Sequence, residues 1–230
     1  MPNADSNDPA LELNYRAWLP ADRRAPILDL GCGDGRVLKY LSGLGYDNVL
    51  GVDRDQTAVA SVGTIPGVKV ECTDVDLGFL HQHRGRFRLI VLRQMIYYLD
   101  RADVVAFLSA ARDALTDDGV ILVEFFNAAL LSSRMTEQKD PFIRTAYTEH
   151  SMRRLFAAAG LHTLEVHGER RRITGMRSAL YAMLRALWIQ LLKAIYILER
   201  GIDNELPRMF TKSIIAVASK QPPGPGVPAA

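Results

Sequence analysis

The sequence is poor in the residues that build disulfide-bonded, metal-binding and nucleic-acid-binding proteins. Its 230 residues include two cysteines, Cys32 and Cys72, whose separation matches no zinc-binding spacing. We therefore expect free thiols in a reducing compartment and no bound metal. Positive and negative side chains nearly cancel, leaving a net charge of +2, so the concentrated basic surface typical of nucleic-acid-binding proteins is not expected.

Signals for export and for several domains are also lacking. Residues 1–10 have neither a basic segment nor an apolar one, so they do not form a secretory signal, and we expect a cytoplasmic protein. Residues 1–10 are predicted to be mobile, and the proline- and glycine-rich residues 221–230 to be disordered. A single domain is expected over 11–220, since that length suits one full α/β core.

The most informative segment is Ile-Leu-Asp-Leu-Gly-Cys-Gly-Asp-Gly at positions 27–35. A short apolar run ends in three glycines, Gly31, Gly33 and Gly35, and a helical pattern follows at once. This order predicts a buried strand that turns sharply into a helix. Because glycine has no side chain, a ligand can lie directly against the backbone of such a turn.

Two features of this segment indicate the kind of ligand. The dinucleotide-binding fingerprint needs its third glycine one residue later, where this chain has Arg36. Asp29 and Asp34 flank the turn, and their carboxylates would repel a pyrophosphate. They favour a ligand that carries positive charge, such as an ammonium group and a sulfonium, and so point to S-adenosylmethionine.

Strand and helix patterns alternate along the rest of the chain. Short apolar segments predict strands at 26–30, 48–53, 68–72, 87–93, 119–126, 161–167 and 211–218. Helical patterns lie at 35–44, 55–62, 101–116 and 148–159. This alternation predicts an α/β fold, a Rossmann-like doubly wound sheet of seven mostly parallel strands. Ligands of such sheets bind beyond the carboxyl ends of the strands, where the glycine segment lies.

Further acids follow the second and third predicted strands. Asp53 can accept hydrogen bonds from both hydroxyls of a ribose, and Asp74 can accept one from an adenine amino group. Either could instead be a solvated loop residue. Asp55 and Asp76 repeat these acids two positions later, and we expect them to begin helices or turns rather than to bind a metal.

With these motifs the chain resembles the class I S-adenosylmethionine-dependent methyltransferases, from about Tyr15 to Lys220. More narrowly, it resembles bacterial methyltransferase-domain proteins associated with O-antigen and other polysaccharide biosynthesis. The narrower resemblance lies in Tyr15, Leu19-Pro20, Asn127, Ala146-Tyr147-Thr148 and the last strand at 210–218. The class I resemblance implies S-adenosyl-L-methionine as the cofactor and S-adenosyl-L-homocysteine as its product.

The resemblance also implies a set of cofactor-binding residues. They lie around the glycine turn and at the following strand ends: Tyr15, Asp29, Gly31, Cys32, Gly33, Gly35, Asp53, Arg54, Asp74, Val75 and Arg93. No metal ligand belongs to this set.

The catalytic base that relatives commonly use is missing. They carry Glu-His after the fourth strand, where residues 94–99 of this chain read Gln-Met-Ile-Tyr-Tyr-Leu. Tyr98 stands at the position of the base, although a phenol with a pKa of about 10 is a weak one. His150, at the start of a late helix, and Glu124, at the end of the fifth strand, are further candidates. Each of the three could instead have a structural role.

Residues 176–200 form a long apolar stretch within a predicted helical insertion or lid at 168–210, before the last strand. Its leucines recur at helical spacing and make a stripe wider than an ordinary core face. Arg185 and Lys193 interrupt the stretch, which argues against a membrane-spanning helix. Two interpretations remain: a lid or homodimer helix that packs on the domain, or a helix that contacts a membrane surface.

The sequence therefore predicts an S-adenosylmethionine-dependent methyltransferase that acts on oxygen of a sugar or another polyhydroxylated acceptor. A small-molecule or natural-product methyltransferase is the first alternative. The second is a cofactor-binding partner protein that has lost catalysis. A nucleic-acid acceptor is not expected, because the fourth strand lacks the Asn/Asp-Pro-Pro-aromatic pattern that grips a flipped base.

Overall fold

A computed structural model of the chain describes residues 8–201 and 206–222. They form one sheet of seven strands: β1 (Ile27–Leu30), β2 (Val49–Asp53), β3 (Val68–Cys72), β4 (Phe87–Arg93), β5 (Leu115–Phe126), β6 (His162–Gly168) and β7 (Ser213–Ser219). The strand order is β3-β2-β1-β4-β5-β7-β6. Strand β7 is antiparallel to both neighbours and the other pairs are parallel. The predicted mostly parallel, doubly wound sheet is confirmed.

Helices cover both faces of this sheet. The described residues form α1 (Pro9–Tyr15), α2 (Arg36–Gly43), α3 (Gln56–Val62), α4 (Leu77–Gln82), α5 (Val104–Ala114), α6 (Ser133–Lys139), α7 (Glu149–Ala158) and α8 (Met176–Arg200). Neighbouring residues of a strand point to opposite faces, so Leu28 packs in the cluster with α4, α5 and α7, and Ile27 in the cluster with α1 and α2. Strand β1 is buried throughout, as a central parallel strand should be.

Helix α1 corrects the prediction of a mobile segment at 1–10. Residues 1–7 lie outside the described part of the chain, but Asp8 begins a helix. Its side chain accepts hydrogen bonds from the backbone nitrogens of Ala10 (3.0 Å) and Leu11 (3.2 Å). Pro9 occupies the first helical turn, where its missing N–H group costs nothing. Helices α4 and α6 were also not predicted.

Other boundaries differ by a few residues. The helix predicted at 101–116 ends at Ala114, because Leu115 already pairs with Phe87 as the first residue of β5. Of the tail predicted at 221–230, Gln221 and Pro222 are described and the rest lies outside the described residues. Residues 202–205, within the predicted insertion at 168–210, also lie outside the described residues. Helix α8 precedes β7, as predicted.

Asp55 and Asp76 have the helix-capping roles expected of them. The Asp55 carboxylate accepts hydrogen bonds from the backbone of α3, at 2.8 and 3.2 Å. Asp76 caps α4 through the backbone nitrogen of Phe79, at 2.8 Å. Within 8–201 and 206–222, no group of three or more His, Cys, Asp or Glu side chains is placed to hold a metal ion.

Candidate functional site

The glycine turn after β1 has the backbone conformation that only glycine adopts readily. Gly31, Gly33 and Gly35 have φ angles of +73°, +52° and +76°. A Cβ atom at Gly31 would also lie 2.8 Å from Met95 Cγ, whereas a Cβ at Gly33 would meet no atom within 4 Å. The backbone at Gly33 therefore borders open space, where a ligand can approach it.

Asp53, at the end of β2, is tied to this turn. One carboxylate oxygen accepts a hydrogen bond from the Gly33 nitrogen at 2.8 Å, and the other accepts one from the Asp55 nitrogen at 2.9 Å. A carboxylate has about four lone-pair directions, so each oxygen of Asp53 can accept a further hydrogen bond. The side chain is thus held in place while it stays available to ligand hydroxyls.

A cleft of about 490 Å³ opens at this edge of the sheet. Among the predicted site residues, it is lined by Gly31, Asp53, Arg54, Asp74, Val75 and Tyr98. Residues that the sequence analysis did not select complete the lining: Asp55, Asp76, Gln94, Met95, Leu99, Asp140 and Phe142. We call this the first cleft. Its position beyond the carboxyl ends of β1, β2, β3 and β4 is the position expected for the ligand of a doubly wound sheet.

Asp29 is a buried acid whose carboxylate has no hydrogen-bond partner among the described residues. It is 1% exposed, and neither oxygen is paired. Burial raises the pKa of Asp29 to about 7; the Arg93 guanidinium limits this rise, and the Asp53 carboxylate adds to it. Since an unpaired buried carboxylate is costly, the arrangement calls for a cationic ligand group.

Arg93 complements Asp29 on the same face of the sheet. Its Nε lies 3.5 Å from a Glu124 carboxylate oxygen, but this buried nitrogen makes no hydrogen bond within the described part of the chain. An ammonium beside Asp29 and a carboxylate beside Arg93 are the two charges of an α-amino acid. The donor set therefore fits the amino-acid end of S-adenosylmethionine.

Tyr15 and Glu124 support this region without lining the first cleft. Buried Tyr15 donates its hydroxyl proton to Glu124 at 2.5 Å, and Gln94 donates to the other Glu124 oxygen at 3.0 Å. Burial, with Glu124 beside it, raises the pKa of Tyr15 well above its ordinary value. Tyr15, predicted to contact the cofactor, lies in this buried hydrogen-bond network and does not line the first cleft. Glu124 is a hydrogen-bonded strand-end acid rather than a free base.

Gln94 is a further residue that the sequence analysis missed. Its φ of +55° is the one positive value at a non-glycine position in the described residues. Such strained backbone persists where surrounding contacts hold it, often at functional sites. Here its backbone nitrogen donates to the Glu124 carbonyl at 2.8 Å, and its side-chain oxygen accepts from the Tyr97 hydroxyl at 3.1 Å. Its position directly after β4, at the carboxyl end of a parallel strand, is the sequence feature that could have identified Gln94 as a site residue.

Cys32 and Gly35 have structural surroundings. Burial raises the pKa of the Cys32 thiol to about 12, so it stays protonated near neutral pH. Both Cys32 and Cys72 are free thiols, as predicted. Gly35 begins α2, and a Cβ atom there would lie 2.8 Å from Val62 Cγ1. Neither Cys32 nor Gly35 has a side-chain role in the first cleft.

Tyr98 lines the first cleft but is poorly suited to remove a proton. Its hydroxyl donates to Asp140 at 2.6 Å. Burial and the neighbouring Asp140 carboxylate raise the pKa of Tyr98 to about 12. In this structure the phenol of Tyr98, predicted as a candidate base, is a hydrogen-bond donor to Asp140.

His150 is not brought to the first cleft. It lies in the first turn of α7 and lines a separate cavity of about 650 Å³, which shares no lining residue with the first cleft. Its Nε2 is 3.2 Å from the Leu206 carbonyl oxygen. Helix α7 thus places His150, predicted as a catalytic residue, at this separate cavity.

A second cleft, of about 800 Å³, adjoins the first and lies between the end of β5, α6 and α8. Asp140 lines both clefts. Aromatic residues and cations dominate the lining of the second cleft: Tyr97, Phe126, Tyr181, Trp188 and Phe210, with Lys139, Arg171, Arg185 and Lys212. We call it the second cleft and note that it can hold a second molecule beside the ligand of the first.

Asn127 holds one wall of the second cleft. Its side chain is buried, donates to the carbonyls of Met209 (2.7 Å) and Thr211 (3.2 Å), and accepts from the Ala129 nitrogen at 2.9 Å. It thereby joins the end of β5 to the segment that enters β7. All of its side-chain contacts are with the backbone of this chain, so its role is structural.

Comparison with known proteins agrees with this geometry. The family described as "Methyltransferase domain" matches residues 8–166. No curated protein matches the chain. A solved S-adenosylmethionine-dependent methyltransferase from Archaeoglobus fulgidus is similar at a TM-score of 0.64 and 17% identity, over 90% of each chain.

Two further solved structures are similar in the same way. One is an S-adenosylmethionine-dependent methyltransferase from Mesorhizobium loti, with a TM-score of 0.62 and 19% identity over 91% of this chain and 95% of that one. The other is a TehB-like S-adenosylmethionine-dependent methyltransferase from Corynebacterium glutamicum, with a TM-score of 0.59 and 20% identity over 95% of this chain and 91% of that one. At these identities the solved structures establish the fold.

Proposed function

Because the chain belongs to the methyltransferase-domain family and uses S-adenosylmethionine, we propose that it methylates a hydroxyl group of a sugar or another polyhydroxylated acceptor. One observation carries the proposal. The two clefts adjoin, and a carboxylate, Asp140, lies where they meet. When bound, the cofactor supplies an activated methyl group on a sulfonium, and the protein has to hold the acceptor and receive its proton.

The first cleft, together with Asp29 and Arg93 on the strands that end at it, offers a group for each part of the cofactor. Asp53 would accept hydrogen bonds from the ribose hydroxyls, and Asp74 lies at the neighbouring strand end for the adenine. Asp29 would pair with the ammonium and Arg93 with the carboxylate of the methionine part. Neither the buried Asp29 oxygens nor the Arg93 Nε makes a hydrogen bond within the described part of the chain, which supports this assignment, although Arg93 Nε also faces a Glu124 oxygen at 3.5 Å.

Asp140 is the proposed general base in place of Tyr98 and His150. The Tyr98 hydroxyl fixes one of its oxygens at 2.6 Å, and the backbone nitrogen of Phe142 fixes the other at 3.0 Å. These two donors orient the carboxylate and leave it further lone pairs for an acceptor hydroxyl. A positioned base of this kind is needed because an alcohol is a poor nucleophile until it gives up its proton.

The second cleft supports the choice of acceptor. The apolar face of a sugar ring stacks on aromatic side chains, and Trp188 and Tyr181 offer exposed ring faces. Lys139 and Lys212 add positive charge, which suits an acceptor with a phosphate or carboxylate group. A cytoplasmic role in polysaccharide biosynthesis fits this acceptor and is part of the proposal.

A small aromatic natural product is the second candidate acceptor. The five aromatic side chains in the second cleft favour it, because a flat apolar molecule could bury its rings against them. Its phenolic hydroxyl would give up a proton more readily than a sugar alcohol. Methylation of a phenol therefore depends less on a base at Asp140 than methylation of a sugar hydroxyl does.

The first test is calorimetric titration with S-adenosylmethionine and with S-adenosylhomocysteine. Binding of both is expected, and absence of binding would overturn the cofactor site. A second assay uses isotopically labelled cofactor methyl groups and two acceptor panels, sugar phosphates with nucleotide-sugars, and phenols. Transfer to the sugar panel supports the proposal, transfer to phenols alone supports the second candidate, and binding without transfer to either counts against both.

A further inference from the structure

Helix α8 points its apolar side away from the domain. Six residues at helical spacing form what we call the leucine ridge: Leu180, Met183, Leu184, Leu187, Leu191 and Leu198. Each is between 51% and 85% exposed. An ordinary surface helix turns such a stripe towards the core, so this orientation needs an explanation.

The opposite side of α8 is the one attached to the domain. Leu192 is buried there, and the Tyr196 hydroxyl donates to the Ala129 carbonyl at 2.7 Å. Arg185 donates to the Phe210 carbonyl at 3.1 Å. These contacts set the rotation of the helix about its axis, and they hold the leucine ridge outward.

The region of α8 is also strongly basic. Residues 169–200 contain seven arginines and lysines and two glutamates, a net charge of +5 against +2 for the whole chain. Arg172, shortly before α8, and Arg177, in its first turn, are exposed. The cations and the leucine ridge therefore occupy one part of the molecular surface.

A helix that lies in the plane of a membrane surface combines these properties. It has an apolar face, cations around it, and aromatic residues such as Tyr181 and Trp188 at the level of the lipid headgroups. Helix α8 is long and apolar enough to cross a membrane by length and composition alone. Its contacts with the domain and the charges of Arg185 and Lys193 favour the surface position.

We propose that the leucine ridge and the surrounding cations dock this enzyme on an anionic membrane surface. A second copy of the chain is the other occupant that could cover the ridge, but it would bring the same net charge of +5 against itself. Anionic headgroups complement that charge, and each cation near such a surface adds to the attraction. The docking does not depend on the identity of the acceptor.

The membrane would also adjoin the second cleft. Tyr181, Arg185 and Trp188 belong to α8 and line that cleft. A docked enzyme would hold the cleft beside the lipid headgroups, where an acceptor attached to a lipid could reach it.

The experiment is co-sedimentation of the full chain with phosphatidylcholine vesicles, with and without phosphatidylglycerol. Leu187→Glu places a charge on the leucine ridge, and Leu131→Glu is its matched control, since the two leucines are 63% and 65% exposed. We expect Leu187→Glu to weaken binding to anionic vesicles about tenfold and the control to leave it unchanged. Calorimetry with S-adenosylmethionine shows that both variants are folded.

The charge contribution has its own pair of variants. Arg172→Glu combined with Arg177→Glu should weaken binding to anionic vesicles, while Arg24→Glu, at another exposed arginine, should not. Absence of vesicle binding, or equal binding to neutral and anionic vesicles, would overturn the proposal. A dimer in analytical ultracentrifugation that Leu187→Glu dissociates, without vesicle binding, would assign the ridge to a second copy instead.

Discussion

The two clefts of this enzyme meet at Asp140 but are built from different parts of the fold. The first is formed by the ends of central parallel strands, and its key acids are held by the backbone or deeply buried: Gly33 and Asp55 bind Asp53, and Asp29 is 1% exposed. The second has α6 and α8 in its wall, and their side chains there, such as Met135 and Trp188, are exposed. A rigid sheet edge thus adjoins a more exposed helical wall.

This difference separates cofactor binding from acceptor choice. Changes in the first cleft disturb buried charges and backbone hydrogen bonds, so they should alter cofactor affinity and, in places, stability. Changes on the α6 and α8 side of the second cleft remove exposed groups whose loss the fold tolerates. The predictions below test whether the two clefts can be separated in this way.

The largest effect is expected at the junction. Asp140→Asn keeps an oxygen for the Tyr98 and Phe142 donors but cannot take a proton, so kcat should fall by about 10²–10⁴-fold. The affinity for S-adenosylmethionine should stay the same, as measured by calorimetry. Asp100→Asn is the control, an exposed acid that pairs with Arg144 at 2.7 Å. An unchanged kcat would remove Asp140 from catalysis.

Asp53→Ala should produce the next largest effect, on binding rather than on turnover. It removes the proposed hydrogen bonds to the ribose and the two backbone anchors of the glycine turn, so the Kd for S-adenosylmethionine should rise about 100-fold. Asp47→Ala is the matched control, because Asp47 precedes the same strand at its other end. Normal affinity in Asp53→Ala would show that the first cleft has been assigned to the wrong ligand.

Acid should weaken cofactor binding through Asp29. Because the pKa of this carboxyl is about 7, it carries a proton at lower pH that the ligand ammonium has to displace. The Kd should therefore rise about tenfold per pH unit below about pH 7, with proton release on binding. In Asp29→Asn the affinity should be weak throughout and independent of pH over this range, which calorimetry in buffers of different ionisation enthalpy can measure.

The same group affects stability in the opposite direction from most carboxylates. Between its ordinary pKa of 3.8 and its raised pKa of about 7, the folded chain retains a proton that the unfolded chain has released. The contribution of Asp29 to the free energy of unfolding therefore falls as pH rises through this window and is constant above it. Denaturant unfolding of Asp29→Asn and the native chain, compared at several pH values, should show this difference.

The smallest effect is expected at Tyr98. Tyr98→Phe keeps the ring and loses the hydrogen bond to Asp140, so kcat should fall about three- to tenfold while the cofactor Kd is unchanged. In the Asp140→Asn background the same change should cost little further activity, because the oriented carboxylate is already gone. Additive losses would mean that Tyr98 acts independently of Asp140.

The predicted site residues that line the first cleft are close to the end of a strand. Gly31, Asp53 and Asp74 follow three consecutive strands, and carboxyl ends of parallel strands meet at one edge whatever the details of packing. Asp140 could not be found in this way. Asp140 directly follows α6, a helix that the apolar pattern did not predict. The sequence therefore did not indicate that Asp140 would lie at the edge of the sheet.

The surroundings of several predicted site residues depend on packing that the sequence pattern does not contain. Tyr98 stands at the position of the family's base, and its hydroxyl donates a hydrogen bond to Asp140. His150 was selected at the start of a late helix, and α7 places it at another cavity. Tyr15 was expected at the ligand and instead lies buried against Glu124. Hydrogen-bond partners and helix placement depend on contacts between distant parts of the chain.

Sequence alone determined the succession of strands and helices along the chain, the glycine turn and the charge of the ligand that this turn favours. These features depend on neighbouring residues and on the period of the apolar pattern. Tertiary structure decided that Asp29 and Arg93 share a buried face, that Asp140 joins two clefts, and that the leucine ridge of α8 faces outward. The apolar pattern shows that a helix has an apolar side, but only contacts such as those of Tyr196 and Leu192 settle which way that side points.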